Sequence, residues 1–194
     1  MRSVCVFLGS NPGANPNYLL AARAMGKELA RRSLTCVYGG SNVGLMGALA
    51  GAALEAGGKV IGVIPEALRQ KELAHTGLTE LHVVASMHER KAMMAELSDG
   101  FVALPGGMGT LEELCEMLTW AQLGFHKKPC GLLDVDGYYA GLASFFDHTV
   151  AEGFVHAAHR SMLLTAATPG ELLEGFASYV APVVNKWIER PQAL

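Results

Sequence analysis

Pro105-Gly106-Gly107-Met108-Gly109 runs directly into Thr110-Leu111-Glu112-Glu113. Glycines leave backbone N–H groups uncovered, and a helical pattern follows at once. Bare amides at the positive end of a helix dipole make an anion site. One glycine would suffice for a tight strand-to-helix turn, whereas three and a threonine favour phosphate. Two other segments carry chemistry of the same kind. Gly39-Gly40-Ser41-Asn42-Val43-Gly44-Leu45-Met46-Gly47 is a second glycine-rich loop, and Ser86-Met87-His88-Glu89-Arg90-Lys91 holds an adjacent pair of cations. Arg90 precedes Met93, Met94 and Leu97 at helical spacing, so it stands at the N-terminal end of an apolar stripe. A guanidinium aimed along such a stripe requires an anionic partner. The competing reading is an ordinary solvated helix residue.

Glu113 has two readings. Thr110-x-x-Glu113 has the spacing of a capping box, as does Ser86-x-x-Glu89. In that case the Glu113 carboxylate merely satisfies the start of a helix beginning near Leu111. In the other, it is a catalytic carboxylate. Glu112 and Glu113 point about 100° apart on a helix and need not share a role.

Several chemistries lack their residues. No glycine is followed by Lys-Ser or Lys-Thr, so there is no Walker A loop. The strand ending at Tyr38 meets Gly39-Gly40 with no acidic residue to hold a ribose in the manner of a nicotinamide enzyme. No G-x-S-x-G elbow is present. His156-x-x-His159 and the scattered histidines 75, 82, 88, 126 and 148 form no recognisable metal pattern, and Asp134-Val135-Asp136-Gly137 reads as a turn, not a calcium loop. Cys5, Cys36, Cys115 and Cys130 are far apart, as expected of reduced cysteines in a cytoplasmic protein. A net charge of −3 argues against general nucleic-acid binding.

These segments must be brought together by the elements between them. Apolar residues make up 51% of the 194 and charged ones 17%, enough for a large core. The mean hydropathy of +0.26 is high for a soluble monomer, as when an apolar face is covered by another subunit. No apolar run reaches membrane-spanning length. The N-terminal apolar run is too short for a signal peptide and reads as a buried strand. Strands are expected at Val4–Leu8, Thr35–Tyr38, Val60–Ile64, Leu81–Val84, Phe101–Leu104 and Cys130–Leu133. Helices are expected at Tyr18–Arg32, Leu45–Ala56, Met87–Leu97, Leu111–Leu123 and Tyr138–Glu152. A last helix is expected from Glu171 to about Trp187, broken or kinked at Pro182. Such alternation implies right-handed βαβ units, hence an α/β fold with an open, doubly wound parallel sheet. No linker divides the chain, so residues 1–194 are read as one domain. In such a sheet, ligands bind at the carboxyl ends of strands, where both glycine loops and the Arg90-Lys91 pair would meet. The irregular stretch from Pro65 to Thr79 is long enough to be functional.

The motifs carry a resemblance. Pro105 to Glu113 resembles the PGGxGTxxE signature of the LOG ("lonely guy") proteins, Met87 to Lys91 is similar to their MHxRK segment, and Gly39 to Gly47 to their GGGxxGLMG loop. The resemblance extends from Val4 to about Leu164, with Trp120 to Gly124 and Lys128-Pro129 also matching. Such proteins have been labelled lysine decarboxylases, but no lysine context for pyridoxal phosphate is recognisable here. The resemblance implies a Rossmann-like homodimer acting as a cytokinin riboside 5′-monophosphate phosphoribohydrolase. Such an enzyme splits an N6-substituted adenosine 5′-monophosphate into free base and ribose 5-phosphate without metal or cofactor. It implies Arg90 and Glu113 as the catalytic pair. It places Lys91, the loop residues Gly106, Gly107, Met108, Gly109, Thr110, Leu111 and Glu112, and Thr119 around the nucleotide, with Glu72 a looser match. Ser10, Gly39 and Gly40, in the loops after the first two strands, are expected to join them. Ser41 replaces the third glycine of the GGG loop, and its side chain would narrow the pocket or alter the loop.

Cleavage of an N-glycosidic bond builds positive charge on the ribose. Glu113 could stabilise that cation, orient water or form a covalent intermediate, while Arg90 holds nucleotide oxygens and orients Glu113. Two other functions use the same framework: a general AMP or nucleotide 5′-monophosphate nucleosidase, and a non-catalytic carrier of a nucleotide or molybdenum cofactor.

Overall fold

A strand that is apolar at every position is stable only when both its faces are covered. The computed structural model, which describes residues 1–69 and 74–182, has this arrangement. In chain order the elements are β1 (Ser3–Phe7), α1 (Pro16–Arg31), β2 (Thr35–Tyr38), α2 (Gly44–Glu55), β3 (Val60–Pro65) and α3 (Glu66–Arg69). They continue with β4 (Glu80–Val84), α4 (Met87–Glu96), β5 (Phe101–Ala103), α5 (Met108–Gln122) and β6 (Cys130–Leu133). Last come α6 (Ala140–Ala151), α7 (Ala157–Arg160), β7 (Leu163–Ala166) and α8 (Pro169–Ser178).

The strands form one sheet in the order β4-β3-β2-β1-β5-β6-β7, every neighbour parallel. β1 is central, with Cys5 in register with Val37 of β2 and with Phe101 of β5. Alternation along the central strands divides the core in two. Val4, Val6, Cys36, Tyr38 and Val102 face one way, packing with residues of α1, α2 and α8. Cys5, Phe7, Val37, Phe101 and Ala103 face the other way, packing with α4 and α5. Helices α1 and α2 cross closely because Gly26 has no side chain, and a Cβ there would overlap the Leu49 carbonyl.

The doubly wound sheet and its six expected strands are present, with ends within a residue or two. Four details differ. A seventh strand, β7, pairs with β6 at the edge. The last helix ends at Ser178, before Pro182, and residues 183–194, including Trp187, lie outside the described residues. The stretch from Pro65 to Thr79 is not wholly irregular, since it contains α3 and a bridge from Ala74 to Ser41. Helix α5 starts at Met108, three residues before the expected Leu111, because the glycines form its first turn.

Candidate active site

The chain runs outward from β1 to β4, then returns to add β5 on the other side of β1. At that reversal the loops after β1 and β5 diverge and leave a crevice. A cavity of about 340 Å³ opens there. Its wall includes Ser10, Gly39, Arg90, Gly107, Met108, Gly109, Thr110, Glu112 and Glu113. With Leu68 of α3, segments from five parts of the chain converge on one space.

The β5–α5 turn supplies amides. Gly107 is the N-cap of α5, at φ −92° and ψ −156°, and no side chain caps the helix. The first intrahelical bond runs from Leu111 N–H to Gly107 C=O at 3.2 Å, so the amides of Met108, Gly109 and Thr110 precede it. By contrast, α1, α4 and α8 are capped by Asn15, Ser86 and Thr168. Thr110 is buried, with its side chain beneath Gly106, where a Cβ would strike its hydroxyl.

This geometry removes the capping role of Glu113. Thr110 is the third helical residue and Glu113 the sixth, too far along to serve the helix start. Among the described residues, a full capping box is formed by Thr168 and Glu171, where the Thr168 hydroxyl accepts from Glu171 N–H at 3.3 Å and Glu171 accepts from Thr168 N–H at 3.2 Å. The half-buried Glu113 side chain instead lies against the cavity. Its charge is felt at the sheet centre: burial pushes the Cys5 thiol well above its usual range, and Glu113 raises it further.

Arg90 is held by backbone. It is only 7% exposed, which excludes the solvated-helix reading. Its Nε donates to Val63 C=O and its Nη2 to Gly39 C=O, both at 3.1 Å. Nη1 lies 3.8 Å from the Met87 sulfur. Two strand ends, β2 and β3, thus anchor a guanidinium that α4 delivers. Lys91, next on α4, points toward α5 and pairs with Glu112 and with Glu116, the latter at 3.1 Å. Glu112 foremost holds the Lys91 ammonium above its ordinary pKa.

The lining also includes apolar side chains: Met46, Leu68, Met87 and Met94. Sequence periodicity assigned Met94 to the core and gave no role to Leu68, which the short α3 brings to the site. A second cavity, of about 310 Å³, shares Gly9, Ser10 and Gly107 with the first and includes Gly106 and Tyr138. There the Tyr138 hydroxyl donates to Gly106 C=O at 2.6 Å, and the Tyr139 hydroxyl donates to Leu104 C=O at 2.5 Å. Two tyrosines thus brace the β5–α5 turn from outside. Asp136 and Gly137 have positive φ, consistent with the expected turn. Among the described residues, no group of three or more His, Cys, Asp or Glu is placed to hold a metal ion.

A protein-family model described as "possible lysine decarboxylase" matches residues 46–176. The chain is 55% identical over 164 residues to a cytokinin riboside 5′-monophosphate phosphoribohydrolase of Rhodococcoides fascians, covering 84% of this chain and 83% of that protein. It is 49% identical over 178 residues to an Arabidopsis thaliana protein of the same name, a LOG protein, covering 92% and 83%. The chain belongs to the LOG family. In fold it also resembles the molybdenum cofactor carrier protein of Chlamydomonas reinhardtii, with a TM-score of 0.68 at 24% identity, covering 90% of this chain and 94% of that one.

The LOG motifs divide by position. PGGxGTxxE forms the turn and first two turns of α5, MHxRK the start of α4, and the glycine loop the path from β2 to α2. Not every residue marked by the resemblance reaches the cavity wall. Leu111 packs against the core beneath the sheet. Gly40, at φ +77°, turns the chain and accepts from His75 N–H at 3.0 Å. Thr119 lies elsewhere, its hydroxyl donating to Cys115 C=O at 2.7 Å, beside a separate cavity shared with Phe146 and His159. Glu72 lies outside the described residues. Ser41, where LOG proteins have a third glycine, is fully buried and is not part of the cavity wall. Its hydroxyl turns to its own loop, 3.4 Å from Val43 N–H, so it does not narrow the pocket.

Proposed function

We propose that this LOG protein hydrolyses N6-substituted adenosine 5′-monophosphates, the cytokinin riboside monophosphates. Water adds at C1′, the N9–C1′ bond breaks with its electron pair going to the base, and free base and ribose 5-phosphate leave. The observation that carries the reading is one cavity joining an uncapped helix start, a buried arginine, a carboxylate and an apolar wall. The reading is supported by relatives that bear this activity in their names.

The roles follow from chemistry. The phosphate sits against the amides of Met108, Gly109 and Thr110, where the α5 dipole favours an anion. Glu113 faces the ribose and stabilises the positive charge that develops as the bond breaks. The fixed Arg90 guanidinium holds nucleotide oxygens. Lys91 and Glu112 close the rim. The base extends toward Leu68 and toward Met46, Met87 and Met94, whose flexible thioethers suit an apolar N6 substituent. That wall favours an N6-substituted base over plain AMP.

The same reading includes a cytoplasmic homodimer. Helix α6 buries none of its residues, and Phe125, Phe145 and Phe154 are exposed, apolar surface that a second copy would cover. All four cysteines are free thiols.

Product analysis tests the reading. Purified protein is incubated with N6-isopentenyl-AMP, AMP and the phosphate-free isopentenyl riboside, and the products are separated. Free base from the monophosphates but not the riboside is expected, with faster release from the N6-substituted substrate. Equal or faster release from AMP would favour the general nucleosidase. Tight nucleotide binding without base release over a day would favour a carrier.

A further inference from the structure

Gly39 lines the cavity and was expected to touch substrate. Its surroundings give it a different task. A Cβ built on Gly39 would meet no ligand space first: it would collide with Nη2 of Arg90, then crowd the guanidinium carbon at 3.2 Å and the Met46 sulfur at 3.4 Å. The same residue's carbonyl accepts from that Nη2 at 3.1 Å. The guanidinium therefore lies against residue 39, at a closeness that only a missing side chain permits.

Backbone conformation does not explain this glycine. Among positive-φ glycines its neighbour Gly40 appears at +77°, and Gly39 does not. Residue 39 lies outside the left-handed region, so what forbids a side chain there is the Arg90 guanidinium. At Gly40 the reverse holds: the Cβ space is merely tight, at 3.3 Å or more, but the torsion requires glycine. Two adjacent glycines of one loop thus serve different ends.

We propose that Gly39 is a positioning residue for Arg90: the missing side chain is the seat that fixes the guanidinium beside the cavity, and any Cβ expels it. Expulsion breaks two buried bonds together, to Gly39 C=O and Val63 C=O. The inference rests on the role proposed for Arg90.

The test is a double-mutant cycle of Gly39→Ala and Arg90→Ala, read in kcat, KM and Tm with N6-isopentenyl-AMP. Gly39→Ala is expected to lower kcat toward the value of Arg90→Ala, at least 30-fold by order of magnitude, the scale of losing one electrostatic catalytic group. In the Arg90→Ala background, adding Gly39→Ala should change kcat less than about twofold and leave Tm unchanged or raised, because residues that act as a unit are not additive. If Gly39→Ala does not fold alone, the double variant should fold, since the colliding group is gone. A Gly39→Ala enzyme with near-normal kcat, while Arg90→Ala is inactive, overturns the positioning role alone. So does an equal loss from Gly39→Ala in both backgrounds, which would mark a direct substrate contact, or a double variant that also fails to fold. An Arg90→Ala enzyme of wild-type activity overturns the catalytic reading of Arg90 and this inference with it.

Discussion

Replacing Glu113 by glutamine removes one negative charge and almost no volume. The side chain can still accept a hydrogen bond, so packing around it is preserved. If the carboxylate faces the ribose as the bond breaks, the loss falls on the transition state. Removing one such electrostatic group costs about 2.7–4 kcal/mol, or roughly 10²–10³ in kcat. KM should shift little, because the phosphate and base contacts lie on other residues. The structure also fixes the effect on stability. A lost N-terminal cap costs about 0.5–2 kcal/mol, which in a chain of this size lowers Tm by a few degrees. Helix α5 starts at Met108 with Gly107 as N-cap, so Glu113 has no cap to lose. The Tm of Glu113→Gln should therefore stay within about 1 °C of wild type by the same scale. The assay is base release under saturating N6-isopentenyl-AMP, with thermal unfolding on the same preparations. A variant retaining more than a tenth of wild-type kcat, or one that loses stability and activity in parallel, refutes the catalytic assignment.

Three further outcomes follow from the contacts. Tyr138→Phe removes the hydroxyl that holds Gly106 C=O; a bond of this kind is worth about 0.5–1.5 kcal/mol, so KM should rise roughly 2- to 12-fold with kcat nearly constant, as steady-state kinetics would show. Lys91→Met leaves Glu112 and Glu116 without the cation they share; Tm should fall at low salt and the loss should shrink at high salt, where charges are screened, and an equal loss at both salt concentrations would rule out an electrostatic clamp. Glu28, bonded to Arg31 and Arg32, has its pKa lowered from 4.5 to about 2, the Arg31 bond being the largest cause. A lowered carboxyl pKa stabilises the fold above pH 4.5, and the gain is lost as pH falls toward 2. The stability gap between wild type and Glu28→Gln, about 1 kcal/mol for a screened ion pair, should shrink across that window; thermal melts at pH 7, 4 and 3 would show it.

Much of the architecture was legible because burial on both faces leaves a strong mark. Val4 to Leu8 and Cys130 to Leu133 are apolar at successive positions, and such runs have few other uses. Strand β7 was harder to see: Leu163–Ala166 is a four-residue edge strand containing a threonine and partly exposed, so it carries no continuous apolar signal. The start of α5 was misplaced because glycine reads as loop, yet a helix N-terminus accepts glycine when its amides serve something outside the helix. That error produced the capping reading of Glu113, and the real box at Thr168 and Glu171 went unread because the last helix was begun at Glu171. Arg90 was identifiable as a buried cation from its place on an apolar stripe. Its partners were not, because Val63 and Gly39 contribute carbonyls, and a carbonyl leaves no trace in the choice of side chain.

Those carbonyls also bear on when the enzyme becomes active during folding. Arg90 and Glu113 sit on successive helices, α4 and α5, whose own backbone bonds form locally. The acceptors that fix Arg90 lie 27 and 51 residues upstream, at the ends of β3 and β2. They reach Arg90 only after those strands have paired into the same sheet. A chain with its helices formed and its sheet unpaired would hold both Arg90 and Glu113 yet have no seated guanidinium. Return of turnover on refolding should therefore lag the return of helical signal, making activity a reporter of long-range strand pairing.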